Sequence, residues 1–161
     1  MKGIFTIVLA LLFSFSYSQK TPNISINSLD GKKVNISQID SSTPVVFSFW
    51  ATWCLPCMEE LTAINEKMET WQQDTKFSMY AVSTDDARTS QKVKTMVKSK
   101  GWEYNILMDT NQTLKRALNI STIPYTMIVH NGEIVYKHVG YSPGDEDELL
   151  AKIKEYNETV K

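Results

Sequence analysis

From Val45 to Trp50 the chain reads Val-Val-Phe-Ser-Phe-Trp, an apolar run broken only by Ser48 and preceded by Pro44. A run of this kind, bounded by a turn residue, predicts a strand buried on both faces. Downstream, Leu61, Ile64, Met68 and Trp71 recur at spacings of three and four, which predicts an amphipathic helix over 58–72. Residues 77–82 read as a second buried strand. A second helix follows over 89–100, with Val93, Met96 and Val97 on its apolar side and Gly101 positioned to end it.

The alternation continues to the end of the chain. Residues 104–108 predict a short strand, and 111–118 a short helix with Leu114, Ala117 and Leu118 inward. Asn131-Gly132 between 125–130 and 133–138 is a strong hairpin signal, because both residues accept the positive φ of a type I′ turn. Ser142, Pro143 and Asp145 supply an N-cap, a first-turn proline and a capping-box acid for a last helix carrying Leu149, Leu150 and Ile153. Near the other end, 23–26 and 33–36 flank Asp30-Gly31 as a short hairpin. Strand–helix–strand alternation implies parallel pairing, and the late hairpin adds antiparallel strands. The expected fold class is therefore α/β, a mixed central sheet with helices on both faces.

The first eighteen residues stand apart from this pattern. Lys2 precedes an apolar run over 4–13 interrupted only by Thr6, and Ser16-Tyr17-Ser18 offers small residues before Gln19. This is the layout of a cleavable export signal, and the run is shorter than the roughly 20 residues that span a bilayer. The expected organisation is a signal peptide over 1–18 and one domain over 19–161, working in the periplasm or another extracytoplasmic space. Composition agrees with a globular domain: 161 residues, 42% hydrophobic, 22% charged, formal net charge −1. That balance leaves no basic footprint for nucleic acid. Two cysteines and two histidines make neither a disulfide scaffold nor a convincing zinc site. No cofactor or metal is expected.

Both cysteines fall in Trp53-Cys54-Leu55-Pro56-Cys57, at the junction of the buried strand and the first helix. A cysteine at a helix N-terminus faces unpaired N–H groups and the positive end of the helix dipole, which favour thiolate. Cys54 is thus the expected nucleophile, and Cys57, one turn deeper, the resolving thiol. Pro56 suits the first turn, where its missing N–H costs nothing. A purely structural staple is a weak alternative, since so short a loop stabilises by only about 2 kcal/mol. Half of a zinc site would need partners that His130 and His138, bracketing the late hairpin, do not offer at helical spacing. Two inert core thiols fit poorly with a proline and a helix start between them.

The segment Val45–Trp50 together with Ala51-Thr52-Trp53-Cys54-Leu55-Pro56-Cys57 resembles the active-site region of thioredoxin-like proteins. Asp30-Gly31-Lys32, the extra strand–helix segment over 82–109, Ser121-Thr122-Ile123-Pro124-Tyr125-Thr126 and Asn131-Gly132-Glu133-Ile134-Val135 narrow the likeness. They are similar to the exported TlpA/ResA-type thiol–disulfide oxidoreductases. The resemblance implies a thioredoxin-like fold with an N-terminal β-hairpin and a central β-α insertion. It also implies a cis bond before Pro124, with Ile123 and Pro124 binding an extended substrate segment and Trp53 packing around the sulfurs. Where cytoplasmic thioredoxin carries a buried aspartate, this chain has Ser48. Glu60, three residues after Cys57 on the same helix face, is the candidate to take the resolving thiol's proton. Active-site glutamate is also what the family carries there. Glu59 is expected to face solvent.

The implied activity is reduction of protein disulfides by dithiol exchange, in a monomer recharged by a membrane thiol-reductant transporter, with apocytochrome c among conceivable clients. Alternatives are a disulfide-donating oxidase, and a non-catalytic binding module acting as chaperone or copper carrier. Against the first, Leu55-Pro56 lacks the histidine found between the cysteines of DsbA-type oxidants.

Overall fold

The computed structural model describes residues 19–158, so the expected export signal lies outside the described residues. In chain order the elements are β1 (Gln19–Lys20), β2 (Ser25–Ser28), β3 (Lys33–Asn35), a 3₁₀ turn (Ile36–Gln38), β4 (Val45–Trp50) and α1 (Leu55–Asp74). There follow β5 (Ser78–Ser83), α2 (Gln91–Lys100), β6 (Asn105–Met108), α3 (Thr113–Ala117), β7 (Tyr125–His130), β8 (Glu133–Val139) and α4 (Asp145–Glu158). The strands form one sheet in the order β1-β8-β7-β4-β5-β6-β2-β3. β4 pairs in parallel with β5, and β5 with β6, as the strand–helix alternation requires. β7 runs antiparallel to β4, so the sheet is mixed, and β2 extends it antiparallel beside β6.

Each sheet face has its own core. On one side Val46, Trp50, Ala81, Ile106 and Ile128 meet Leu61 and Ile64 of α1, Val93 of α2, and Leu149 and Ile153 of α4. On the other, Val45, Phe47, Phe49, Val82, Met127 and Val129 meet Ile36, Leu114 and Leu118. The two-residue period of β4 thus divides an apolar run between two cores. Ser48 falls on the α1 side, between Val46 and Trp50.

β8 breaks that period. Val129 pairs with Ile134 whereas Ile128 pairs with Tyr136, so one extra residue, Val135, is inserted into β8 as a bulge. Ile134 packs into the α3-side core, yet Tyr136 packs on the α1 side. After the bulge, His138 stands opposite Thr126 of β7.

The hairpin turn is as the sequence predicts, with Asn131 at φ 51° and Gly132 at φ 80°. Gly101 closes α2 at φ 66°. Ser142 donates its backbone N–H to the Asp145 carboxylate at 2.7 Å, one half of the expected capping box, although regular helix starts at Asp145. Three expectations are corrected. α1 starts at Leu55 rather than at 58, because Leu55 and Pro56 are exposed and add nothing to the apolar periodicity. Ala117 is exposed, since α3 is only five residues long and Leu114 with Leu118 takes its single inward stripe. β1, which pairs Gln19 with Ile134, is an unanticipated edge strand too short to leave a pattern.

Candidate active site

Cys54 is the N-cap of α1, Leu55 and Pro56 form its first turn, and Cys57 lies within it. The two cysteines are joined in a disulfide with their Cα atoms 5.3 Å apart. Cys54 keeps 5% of its surface open and Cys57 none. The loop from β4 to the helix is fastened from below. The Cys54 N–H donates to the Ala51 carbonyl at 3.0 Å, and the Thr84 N–H to the Trp50 carbonyl at 2.8 Å. Buried Asp85 accepts the Thr52 N–H at 2.9 Å and the Thr52 hydroxyl at 2.6 Å, and the Ser83 hydroxyl donates to it at 2.9 Å. No sequence motif singled out Asp85, because Thr52, the residue it fastens, is 33 residues away in the chain.

The segment before β7 reaches the same end of the sheet, since Tyr125 is the register partner of Phe49 near the end of β4. The Ile123–Pro124 bond is cis. Pro124 is buried, Ile123 half-buried, and the Gly140 N–H donates to the Pro124 carbonyl at 2.9 Å. Trp53, expected to pack around the sulfurs, is instead 66% exposed. Its position at the tip of the loop, ahead of the first helical residue, leaves the indole without a wall to lie against. Trp50 is the core tryptophan, its ring edge-on to Trp102 at 5.1 Å.

Glu60 is buried, with 4% of its surface open, while Glu59 is exposed as expected. One turn separates it from Cys57, which puts the two Cβ atoms about 5–6 Å apart. One carboxyl oxygen accepts the Ser48 hydroxyl at 2.9 Å and the other the Thr126 hydroxyl at 2.6 Å. Burial holds the Glu60 pKa above the ordinary value of 4.5, and the two hydroxyl hydrogen bonds oppose that rise only in part. Ser48 and Thr126 are themselves register partners across β4 and β7. The serine that replaces a thioredoxin-type aspartate therefore serves the relocated carboxyl. Thr126 was legible only as part of a loop motif; a lone hydroxyl in an otherwise apolar strand, as Ser48 is in β4, is the signal that would have found it.

This arrangement suits dithiol–disulfide exchange: two sulfurs at a helix start, a loop at the same end of the sheet, and one buried proton-holding group a turn away. Comparison with known proteins agrees. The family model described as "AhpC/TSA family" matches residues 17–138. The chain is 32% identical over 124 residues to the thioredoxin-like protein YneN of Bacillus subtilis, covering 76% of this chain and 71% of that one. It is 24% identical over 123 residues to thiol-disulfide oxidoreductase ResA of Bacillus anthracis, covering 76% and 69%. Among solved structures, a thioredoxin-like protein from Porphyromonas gingivalis is 43% identical, with TM-score 0.74 over 84% of this chain and 90% of its own. A putative thiol:disulfide interchange protein DsbE from Chlorobium tepidum shares the fold at 22% identity, with TM-score 0.75 over 86% and 96%.

Proposed function

The chain belongs to the AhpC/TSA family of thioredoxin-like proteins and is a thiol–disulfide oxidoreductase, and from that premise we propose that it is an extracytoplasmic reductant of protein disulfides. In the reduced protein the Cys54 thiolate attacks one sulfur of a substrate disulfide. A Cys54–substrate disulfide forms and the substrate's other sulfur leaves as a thiolate. The Cys57 thiol then gives its proton to Glu60 and attacks Cys54. The intramolecular disulfide closes, the substrate's second sulfur leaves, and two electrons have passed from the cysteine pair to the substrate. Ile123 pairs through its backbone with an extended substrate segment, Pro124 fixes that loop, and Trp53 offers an exposed apolar platform beside the attacked bond. A membrane thiol transporter returns the pair to the dithiol state.

The observation that carries the direction is the burial of both sulfurs beside a carboxyl group. Strong oxidants owe their potential to a stabilised reduced form. Here burial and the neighbouring Glu60 carboxyl work against the thiolate support that the helix start gives Cys54, which favours the uncharged disulfide and so makes the dithiol a willing donor. The export-signal pattern of residues 1–18 supports the location. The test is the reduction potential of the Cys54–Cys57 pair, followed by tryptophan fluorescence. A value near thioredoxin's, about −270 mV, is expected, and one near about −120 mV would overturn the direction.

A further inference from the structure

Beside Glu60 lies a small cavity lined by Glu60, Thr126, Tyr136, His138, Asp145, Glu146 and Leu149, and by neither cysteine. Its volume of about 10 Å³ and its mixed polar and apolar lining suit a single hydrogen-bonded water. Ser48, Thr126 and His138 form one continuous row across β4, β7 and β8, each the register partner of the next. The first two donate to Glu60. The third ends the row at the surface: His138 Nε2 lies 3.2 Å from Asp145 Oδ2, and the two side chains are 30% and 32% exposed.

We propose that His138, held by Asp145, is a positioning residue for the exchange reaction, whose charge sets the pH at which Glu60 ionises. The proposal rests on the reading of Glu60 as the proton acceptor of Cys57. A proton on His138 places a cation across the cavity and favours Glu60 carboxylate. Its loss leaves Asp145 as an uncompensated anion and favours the neutral acid. Burial leaves Glu60 little water to screen either charge. The other ionisable groups around Glu60 are accounted for. From α4, Glu146 faces the cavity but is already paired with Lys67 of α1 at 2.9 Å and accepts the Tyr141 hydroxyl at 3.0 Å. Tyr136 of β8 donates to Glu148 of α4, and Tyr104 donates to the Leu61 carbonyl of α1. Burial holds the Tyr104, Tyr136 and Tyr141 hydroxyls above their ordinary range, so all three stay neutral near pH 7. Among the side chains that line the cavity, His138 is the only one able to carry a positive charge.

The experiment titrates the Glu60 carboxyl carbon by NMR in the protein labelled with ¹³C-glutamate, assigning the signal by its loss in Glu60→Gln. His138→Gln removes the titrating cation and His138→Lys makes it permanent. The Lys variant is expected to have the lowest midpoint and the Gln variant the highest, separated by about one pH unit, with the unmodified protein between them. Asp145→Asn should lie below the Gln variant. Midpoints that coincide, or that move in the same direction for Gln and Lys as a merely structural lesion would make them, overturn the proposal. The underlying reading fails separately: if Glu60→Gln resolves a Cys54-linked mixed disulfide as fast as the unmodified protein, Glu60 is not the acceptor, whatever the midpoints do.

Discussion

The two faces of the central sheet are made from the same strands and differ in kind. On the α3 side, β4 and β7 present Val45, Phe47, Phe49, Met127 and Val129, closed over by Leu114 and Leu118. On the α1 side, the alternate positions of those same two strands include Ser48 and Thr126, both buried and both spent on one carboxyl. A dry face contributes stability through apolar area and packing, and tolerates change only at the cost of cavities. A buried acid contributes nothing of that kind. It sits one helical turn from Cys57, where burial raises its pKa. The contrast separates what keeps this fold standing from what makes it react.

The sharpest way to test that separation is at the sulfurs. Cys54→Ser should abolish turnover of a disulfide substrate, a loss of at least about 10³-fold, since the other thiol, Cys57, is fully buried. Cys57→Ser should instead trap Cys54-linked substrate, visible on non-reducing gels. On the dry face, Leu114→Ala should cost about 3 kcal/mol in denaturant unfolding and leave the reduction potential of the folded protein unchanged. A shifted potential would show that the two faces are coupled after all.

Glu60→Gln should alter the pH dependence of stability. Because the Glu60 pKa is raised on folding, the native state binds more protons than the unfolded one above pH 4.5. The acid's contribution is therefore complete below 4.5 and is lost as pH rises through its native value. The Gln variant should lack this decline, so its melting temperature should exceed that of the unmodified protein at pH 8 by more than it does at pH 4. A constant difference between the two would remove Glu60 as the source. The smallest effect is expected from Thr126→Val, which withdraws one donor from the carboxylate. It should move Glu60's ionisation to higher pH and slow mixed-disulfide resolution at pH 7 by about threefold. Equal rates would mean that Ser48 alone suffices.

Most of the sheet was legible in the sequence because the local signals agreed with one another. The apolar run Val45–Trp50, the three-and-four spacing after it and the Asn131-Gly132 turn each point to the element that forms. The cysteine pair and Glu60 could be read from helical spacing. What could not be read depends on strands meeting across long separations: Asp85 under Thr52, Thr126 against Glu60, and β1 against β8. Trp53 was misjudged for the same reason, since whether an indole is covered depends on which distant segment lies beside it.

His138 shows how far one residue of chain length reaches. Counted from the Asn131-Gly132 turn with strict alternation, Ile134, Tyr136 and His138 belong on one face, and the histidine would sit with the apolar α3-side core. The bulge at Val135 resets the count, so that the strand is read in one phase before it and in the opposite phase after it. Forcing Val135 into regular pairing opposite Ile128 would turn His138 and Tyr136 away from the acid and set Lys137 opposite Thr126, whereas deleting Val135 would keep His138 opposite Thr126. Straightening the bulge with Val135 retained would thus work like a frameshift written in three dimensions: every residue keeps its identity, and everything after it in the strand changes its neighbours.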